Sequence, residues 1–286
     1  MIHIIVAVHN RLKLTINCLN SLYKQENYND LNIIIIDDGS TDGTSEYLKK
    51  NFPEVKILNG TGSLFSAGCF HLGIEYILKN SNPKDWVLLV SNDSEVSPNA
   101  IKEMVKISES KKREILIGAL TVNLDDKQTI IRSGTIVKSW FLNKTKHVFD
   151  GDKLDNINNT ETIEVDFLPG RCLLHPIEIF DVVGNYDYKR FKHYGNDEEF
   201  SIRAKKFGYK SFLCPSSITY VKPNDEIIPA KISINFFLHT FFSTRSSSNL
   251  IDKFKLSFIV VPWHAKITYF LIGVLKSLYS FLKRKH

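Results

Sequence analysis

Cysteine is scarce and shows no pairing pattern. Four occur in 286 residues, at Cys18, Cys69, Cys172 and Cys214, with no CxxC spacing. That excludes a disulfide framework and fits the small reduced thiols of a cytosolic protein. Internal repeats and low-complexity tracts are also missing. No charged-then-apolar leader precedes Met1-Ile2-His3-Ile4-Ile5-Val6, which reads directly as a strand, so a cytoplasmic location is expected. The net charge is +6, and Lys276, Lys283, Arg284 and Lys285 crowd the end of the chain. The basic residues form no stripe interleaved with base-stacking aromatics, which argues against nucleic acid. The apolar stretch from Phe254 to Leu275 is broken by Lys255, Pro262, His264 and Lys266, which argues against a membrane span. With 43% hydrophobic and 24% charged residues, the chain fits one large soluble domain, or one domain with an appended tail.

What is present centres on Ile33-Ile34-Ile35-Ile36-Asp37-Asp38-Gly39-Ser40-Thr41-Asp42-Gly43. Four consecutive isoleucines read as a strand buried on both faces, hence a parallel sheet covered by helices. The strand ends in two carboxylates followed by turn residues. Ligands of open α/β sheets bind at the carboxyl ends of the strands, so Asp37 and Asp38 are placed to meet a base, a ribose or a cation. Asp42 reads better as a helix cap.

Residues 2–8 form a second buried strand with His9-Asn10-Arg11 at its end, then a helix through Leu22. A third strand is expected at 54–58, leading to the glycine-rich loop Asn59-Gly60-Thr61-Gly62-Ser63 and a helix from Phe65 to Lys79. This loop is a weak phosphate-binding signal, strengthened by its exit on the edge that carries Asp37 and Asp38. A fourth strand at 85–90 ends in Ser91-Asn92-Asp93-Ser94, an oxygen-rich cluster suited to a hard cation whose other ligands are phosphates. A fifth strand is expected at 115–121, strands and turns at 129–150, a loop at 150–160, a strand at 162–168 and a helix from Pro176 to Val183. Asp197, Glu198 and Glu199 begin another helix, where the macrodipole favours negative charge. Asp197, just after Gly195, is also placed to act as a general base. Residues 210–221 read as a strand pair or one bent strand. Beyond them, 231–242 and 254–282 read as aromatic-rich amphipathic helices. These either lie on a membrane surface or dock on the catalytic domain or a second subunit.

The motifs together resemble the family-2 glycosyltransferases of the GT-A fold. The residues that carry this are Ile5-Val6-Ala7-Val8-His9-Asn10-Arg11, Ile36-Asp37-Asp38-Gly39-Ser40, Gly62-Ser63-Leu64-Phe65-Ser66-Ala67-Gly68, Ser91-Asn92-Asp93, Val183-Gly184-Asn185-Tyr186-Asp187 and His193-Tyr194-Gly195-Asn196-Asp197. Their details are most similar to rhamnosyltransferase-like enzymes of bacterial O-antigen and capsule assembly. The resemblance implies a Rossmann-like mixed sheet flanked by helices over residues 1–225, with a helical extension at 226–286. It implies an inverting transfer of a sugar from a UDP- or dTDP-linked donor to a glycan or lipid-linked glycan hydroxyl. Asp38 would contact the base or ribose, with Ala7, His9 and Arg11 lining the same pocket and Gly62 and Asn92 in the donor-binding set. Asp93 would hold a divalent cation, Mg²⁺ or Mn²⁺, and Asp197 would be the base. Gly170 and Arg171 would lie near the donor sugar and acceptor. Ser91 replaces the first acid of the usual metal motif, and Lys222 stands where a histidine is usual, so the lysine would neutralise diphosphate. The expected location is cytoplasmic or peripheral on the inner membrane face, and the C-terminal helices would contact that membrane or a second copy. The alternative is a catalytically weakened nucleotide-binding scaffold of a polysaccharide assembly complex.

Overall fold

The computed structural model describes residues 1–26, 30–157, 161–223 and 233–283. It opens with β1 (Ile2–Val8), α1 (Leu12–Leu22), β2 (Leu31–Asp37), α2 (Thr44–Asn51), β3 (Lys56–Asn59), α3 (Phe65–Leu78) and β4 (Trp86–Ser91). β1, β2, β3 and β4 are parallel, with β1 between β2 and β4. Next come β5 (Ser94–Val96), α4 (Ala100–Ser110), β6 (Ile115–Asn123), β7 (Ile130–Arg132) and a hairpin of β8 (Thr135–Ser139) and β9 (Lys144–His147). Then follow β10 (Ile163–Val165), β11 (Cys172–Pro176), α5 (Ile179–Val182), α6 (Asn196–Lys206) and β12 (Lys210–Val221). The main sheet runs β10-β12-β6-β11-β4-β1-β2-β3, with β5 on β12 and β7 on β6. β11 runs antiparallel to both β4 and β6, which makes the sheet mixed.

The isoleucine run divides as a strand buried on two faces must. Ile33 and Ile35 join Leu19, Leu22 and Met104 on the side of α1 and α4. Ile34 and Ile36 join Phe70, Ile74 and Phe200 on the side of α3 and α6. Each fully buried isoleucine stabilises the fold by roughly 1.5–3 kcal/mol. The two layers therefore clamp β2 in one register, which fixes where its terminal acids emerge. Gly73 in α3 has no room for a side chain: a Cβ there would lie 2.8 Å from Ile5 Cδ1 and 2.9 Å from its Cγ2. That close approach seats α3 on β1.

Several expectations shift. Pro176 completes β11, so the helix expected from Pro176 is reduced to the single turn of α5. The strand expected at 162–168 shortens to β10. Residues 210–221 are one strand, bent by a register shift between Cys214 and Ile218, around Pro215. The C-terminal part holds three helices, α7 (Ile234–Phe242), α8 (Leu250–Ile259) and α9 (Lys266–Lys283), with Pro262 separating the last two. The boundary placed at 225/226 lies outside the described residues, as do 158–160 of the loop expected at 150–160. Leu256, Ile259 and Val260 pack with Phe167, Ile202 and Trp140, so α8 is fastened to the body of the protein.

Candidate active site

The carboxyl ends of β1, β2 and β4 share one edge, since Val8 pairs with Asp37 and Ala7 with Ser91. Ala7 is partly exposed there, and His9 and Arg11 are exposed just beyond it. Asn10 and Arg11 both take left-handed backbone, at φ 58° and 65°. The turn is held across the edge: Asn10 N–H donates to Ser40 Oγ at 2.7 Å and its side-chain oxygen accepts from Thr41 N–H at 2.8 Å. His9 Nδ1 lies 2.6 Å from the Asp38 carbonyl. A carbonyl only accepts, so Nδ1 carries the proton and Nε2 is left as an acceptor.

The acid pair that ends β2 is turned inward and bonded within the chain. Asp38 is 4% exposed. Its Oδ1 accepts from Gly62 N–H at 2.7 Å and its Oδ2 from Leu64 and Phe65 N–H at 2.9 and 3.0 Å. The carboxylate ties down the 62–65 loop and the first turn of α3, where negative charge is favoured. Gly62 thus gives its N–H to Asp38. Asp37 accepts from Ser40 N–H at 2.8 Å and from Ser45 Oγ. Asn92, also expected at the donor, is 8% exposed and donates to Thr15 Oγ1 at 3.2 Å. Asp42 does cap helices: it accepts from Thr44 N–H of α2 at 3.2 Å and from Leu12 N–H of α1 at 3.1 Å.

Asp93 is left facing the open edge between two guanidiniums. Arg11 Nη1 is 3.7 Å from one carboxylate oxygen and Arg171 Nη1 is 3.7 Å from the other. Neither contact is a hydrogen bond. Asp93 Oδ1 and Arg171 Nη1 are both buried without a hydrogen-bond partner. Such groups cost about 1–3 kcal/mol each, more when charged, unless a ligand completes them. β12 and β5 pair Val221 with Ser94, and the exposed Lys222 follows directly after Val221. Among the described residues no three His, Cys, Asp or Glu side chains gather around one point. Among these residues Asp93 thus stands without a second carboxylate, imidazole or thiolate pair around one point.

Asp197 is joined to this cluster through one residue. Its Oδ2 accepts from Gly170 N–H at 2.9 Å, directly before Arg171, and its Oδ1 from Glu198 N–H at 3.1 Å. The three acids at the start of α6 thus part company. Glu199 is buried and forms a two-point pair with Arg203 at 2.7 and 3.0 Å, and Arg203 also holds the Val183 and Asn185 carbonyls. Glu198 is partly buried, and burial first, then the Asp197 charge, push its carboxyl up to about 7. His193 is held below its ordinary value by burial, with Arg11 and Arg245 adding to the effect and Asp197 and Asp252 opposing it. Its Nδ1 is 3.1 Å from Ser66 Oγ at the start of α3.

The sequence reading missed the part played by α8. Lys253 carries a charge felt by Glu198, Asp252 one felt by His193, and Lys255 Nζ donates to the Arg190 carbonyl at 3.0 Å. The signal was present as three charges, Asp252, Lys253 and Lys255, in an otherwise apolar helix. A cavity of about 780 Å³ lies between α3 and residues 185–190. None of Arg11, Asp93, Arg171 or Asp197 lines it.

Solved structures share this layout. The chain superposes over 98% of its length on GalNAc-T7 crystallised with UDP, GalNAc and Mn²⁺, with a TM-score of 0.62 at 14% identity, covering 57% of that chain. It also superposes on residues 1–349 of S. aureus TarS in complex with UDP, with a TM-score of 0.55 at 15% identity, covering 72% of that chain. The fold is therefore GT-A, as the sequence led one to expect. Residues 3–167 match the family model described as glycosyl transferase family 2, and the chain belongs to that family. It is 25% identical over 205 residues to the N-acetylglucosaminyl-diphospho-decaprenol L-rhamnosyltransferase of Mycobacterium tuberculosis strain H37Rv, and covers 65% of that relative's length. It is 26% identical over 121 residues to glycosyltransferase GlyG of Streptococcus pneumoniae serotype 4, which spans 41% of this chain and 38% of the relative.

Asp38→Asn tests the loop tether. Asparagine has one acceptor oxygen for three N–H groups, and its NH₂ would face a donor. The expected loss is about 2–3 kcal/mol, measured by chemical denaturation; a change below about 0.5 kcal/mol would show that the loop is held by other contacts. Glu198→Gln tests the buried acid. Folding raises the Glu198 pKa, so its contribution is full below the ordinary 4.5 and is lost as pH climbs to about 7. The melting temperature of the variant should gain on wild type by about 2–4 °C between pH 5 and pH 8. A constant difference across that range would mean that Glu198 titrates like a solvated carboxyl.

Proposed function

We propose that the chain transfers a sugar from a nucleoside diphosphate to a hydroxyl of a glycan or lipid-linked glycan, with inversion, in bacterial cell-surface polysaccharide synthesis. The observation that carries this is the facing pair of unpartnered groups, Asp93 Oδ1 and Arg171 Nη1, one residue from the N–H that aims Asp197. A diphosphate satisfies both halves of such a pair. Its oxygens would accept from Arg171 and Arg11, and Asp93 would hold a divalent cation that offsets phosphate charge. Bond cleavage places charge on the leaving diphosphate, and the Arg11 and Arg171 guanidiniums, with Lys222, would offset it. His9 Nε2, free to accept, suits an N–H of a base, while Asp38 serves the donor indirectly by holding the 62–65 loop.

Asp197 takes the proton of the acceptor hydroxyl. Two backbone N–H groups fix its carboxylate, and lone pairs remain on both oxygens. Attack from the face opposite the diphosphate gives inversion. The printed names of the relatives support the substrate classes: one acts on a decaprenol-linked diphospho-sugar as an L-rhamnosyltransferase, and the two solved neighbours hold UDP. The orphaned Asp93 Oδ1 fits a divalent cation, which when bound would neutralise phosphate charge.

Asp197→Asn should lower turnover by about two to four orders of magnitude with donor affinity kept. Near-normal turnover would remove Asp197 as the base. Chelation with EDTA should lower donor hydrolysis in wild type, while Asp93→Asn should be low and insensitive to EDTA. Full wild-type activity in EDTA would assign the leaving-group charge to Arg11, Arg171 and Lys222 alone. A chain that binds UDP- and dTDP-sugars but neither transfers nor hydrolyses them would be the scaffold instead.

A further inference from the structure

After Asp252 the sequence contains no Asp or Glu, while Lys253, Lys255, Lys266, Lys276, Lys283, Arg284 and Lys285 supply seven positive charges. The same stretch carries an apolar face left exposed by the described residues: Trp263 is 84% exposed, Ile267 65%, Leu271 53%, Leu275 64%, Tyr279 68% and Leu282 61%. From these features we infer that α9 and the turn before it form a docking surface for an anionic lipid bilayer, lying in the plane of the interface.

Three features select that occupant. First, α9 is fastened along its other side. Asn143 Nδ2 donates to the Tyr269 carbonyl at 2.9 Å, Lys276 bonds the Asn143 carbonyl, and Phe281 is buried among Phe236, Phe237 and Phe241. The stretch Trp263–Lys283 is long and apolar enough to cross a membrane, but a helix held flat against its own protein presents one face instead. Second, the apolar positions of α9 advance by four, at 267, 271 and 275 through 279. At about 100° per residue they spread over about 120° of the helix. That is a broad face, whereas a helix-to-helix seam needs alternating steps of three and four. Aromatics stand near its two ends, Trp263 and Tyr279, as in interfacial helices. Third, a cleft of about 510 Å³ opens beside Trp263, lined by Lys205, Lys206, Lys266 and Trp140, with Asp166 as its only acid. Asp166 is paired with Lys205 at 2.7 Å, so the cleft keeps two positive charges in excess, a fit for lipid phosphates.

Docking by this face does not depend on sugar transfer. Where the proposed transfer also holds, α8 connects the two: Lys255 bonds the Arg190 carbonyl and Leu256 lies against Gly195, two residues from Asp197. A lipid-linked acceptor would then meet the base close to the interface.

The test is co-sedimentation of the full chain with phosphatidylcholine vesicles, with and without phosphatidylglycerol. Binding should rise about tenfold with the anionic lipid and fall back in high salt. The double substitution Leu271→Glu and Leu275→Glu should cut the bound fraction about tenfold, with the melting temperature and donor hydrolysis unchanged, because both side chains are exposed. Lys206→Glu should weaken binding to the anionic vesicles only. A chain that stays in the supernatant with both vesicle types overturns the inference. So does a dimer in sizing experiments that the same double substitution splits, since the face would then belong to a second copy. Loss of donor hydrolysis in wild type with vesicle binding intact would count against the transfer reading alone.

Discussion

A buried carboxylate holding three backbone N–H groups is the contact on which the site depends. Asp38 comes off a strand locked on both faces, so its position is set by the core and not by the loop it holds. The loop has little of its own: Gly62 sits at φ 83°, Phe65 at φ 55°, and a Cβ on Gly39 would lie 3.0 Å from Gly62 Cα. Charge-assisted bonds to a fixed acceptor convert this strained, glycine-rich segment into a defined wall. Through Ser66 and Phe65 the wall touches His193, and so reaches the turn that leads to Asp197. Order passes from core to strand end, then to loop, then to Asp197.

Much of this was legible because its causes are local. Isoleucine runs announce strands buried twice, and acids followed by glycine announce where such strands stop. The edge itself was readable from Ile36-Asp37-Asp38 and Val90-Ser91-Asn92-Asp93. What each acid does there was not. Asp38, Asp93 and Asp197 look alike in sequence, yet one is fully bonded inside, one faces two arginines across 3.7 Å gaps, and one is steered by a glycine N–H. Those differences depend on residues brought from 24 to more than 70 positions away. Pro176 misled for a related reason. Proline is favoured at a helix start, but it is equally tolerated where a strand ends and its N–H is not needed.

The C-terminal helices were read as an appendage because their composition differs from that of the sheet. Composition reports what an element exposes and says little about what it also touches. α8 is apolar enough to pack on Ile202 and Phe167, yet it sets Asp252, Lys253 and Lys255 against the segment that carries Asp197. A merely adhering helix has no need to bury charge. Lys253 lies deep enough that burial lowers its pKa, and the nearby Glu198 carboxylate works against that shift.

The loss of one acid from the metal motif, with Ser91 in its place, has a physical counterpart across the site. A diphosphate needs its charge balanced, and a cation does this only if the protein supplies enough oxygens to keep it. With one carboxylate available, the proposed reading passes the balance to side chains that carry charge permanently. Arg11 and Arg171 flank Asp93 at equal distance, and Lys222 follows the strand that ends beside it. On the proposed reading Asp93 has two duties that compete: to bind a cation, or to keep two guanidiniums from repelling each other until phosphate arrives. Its 3.7 Å ion pairs give neither arginine a hydrogen bond, so an anion with better geometry would compete for both.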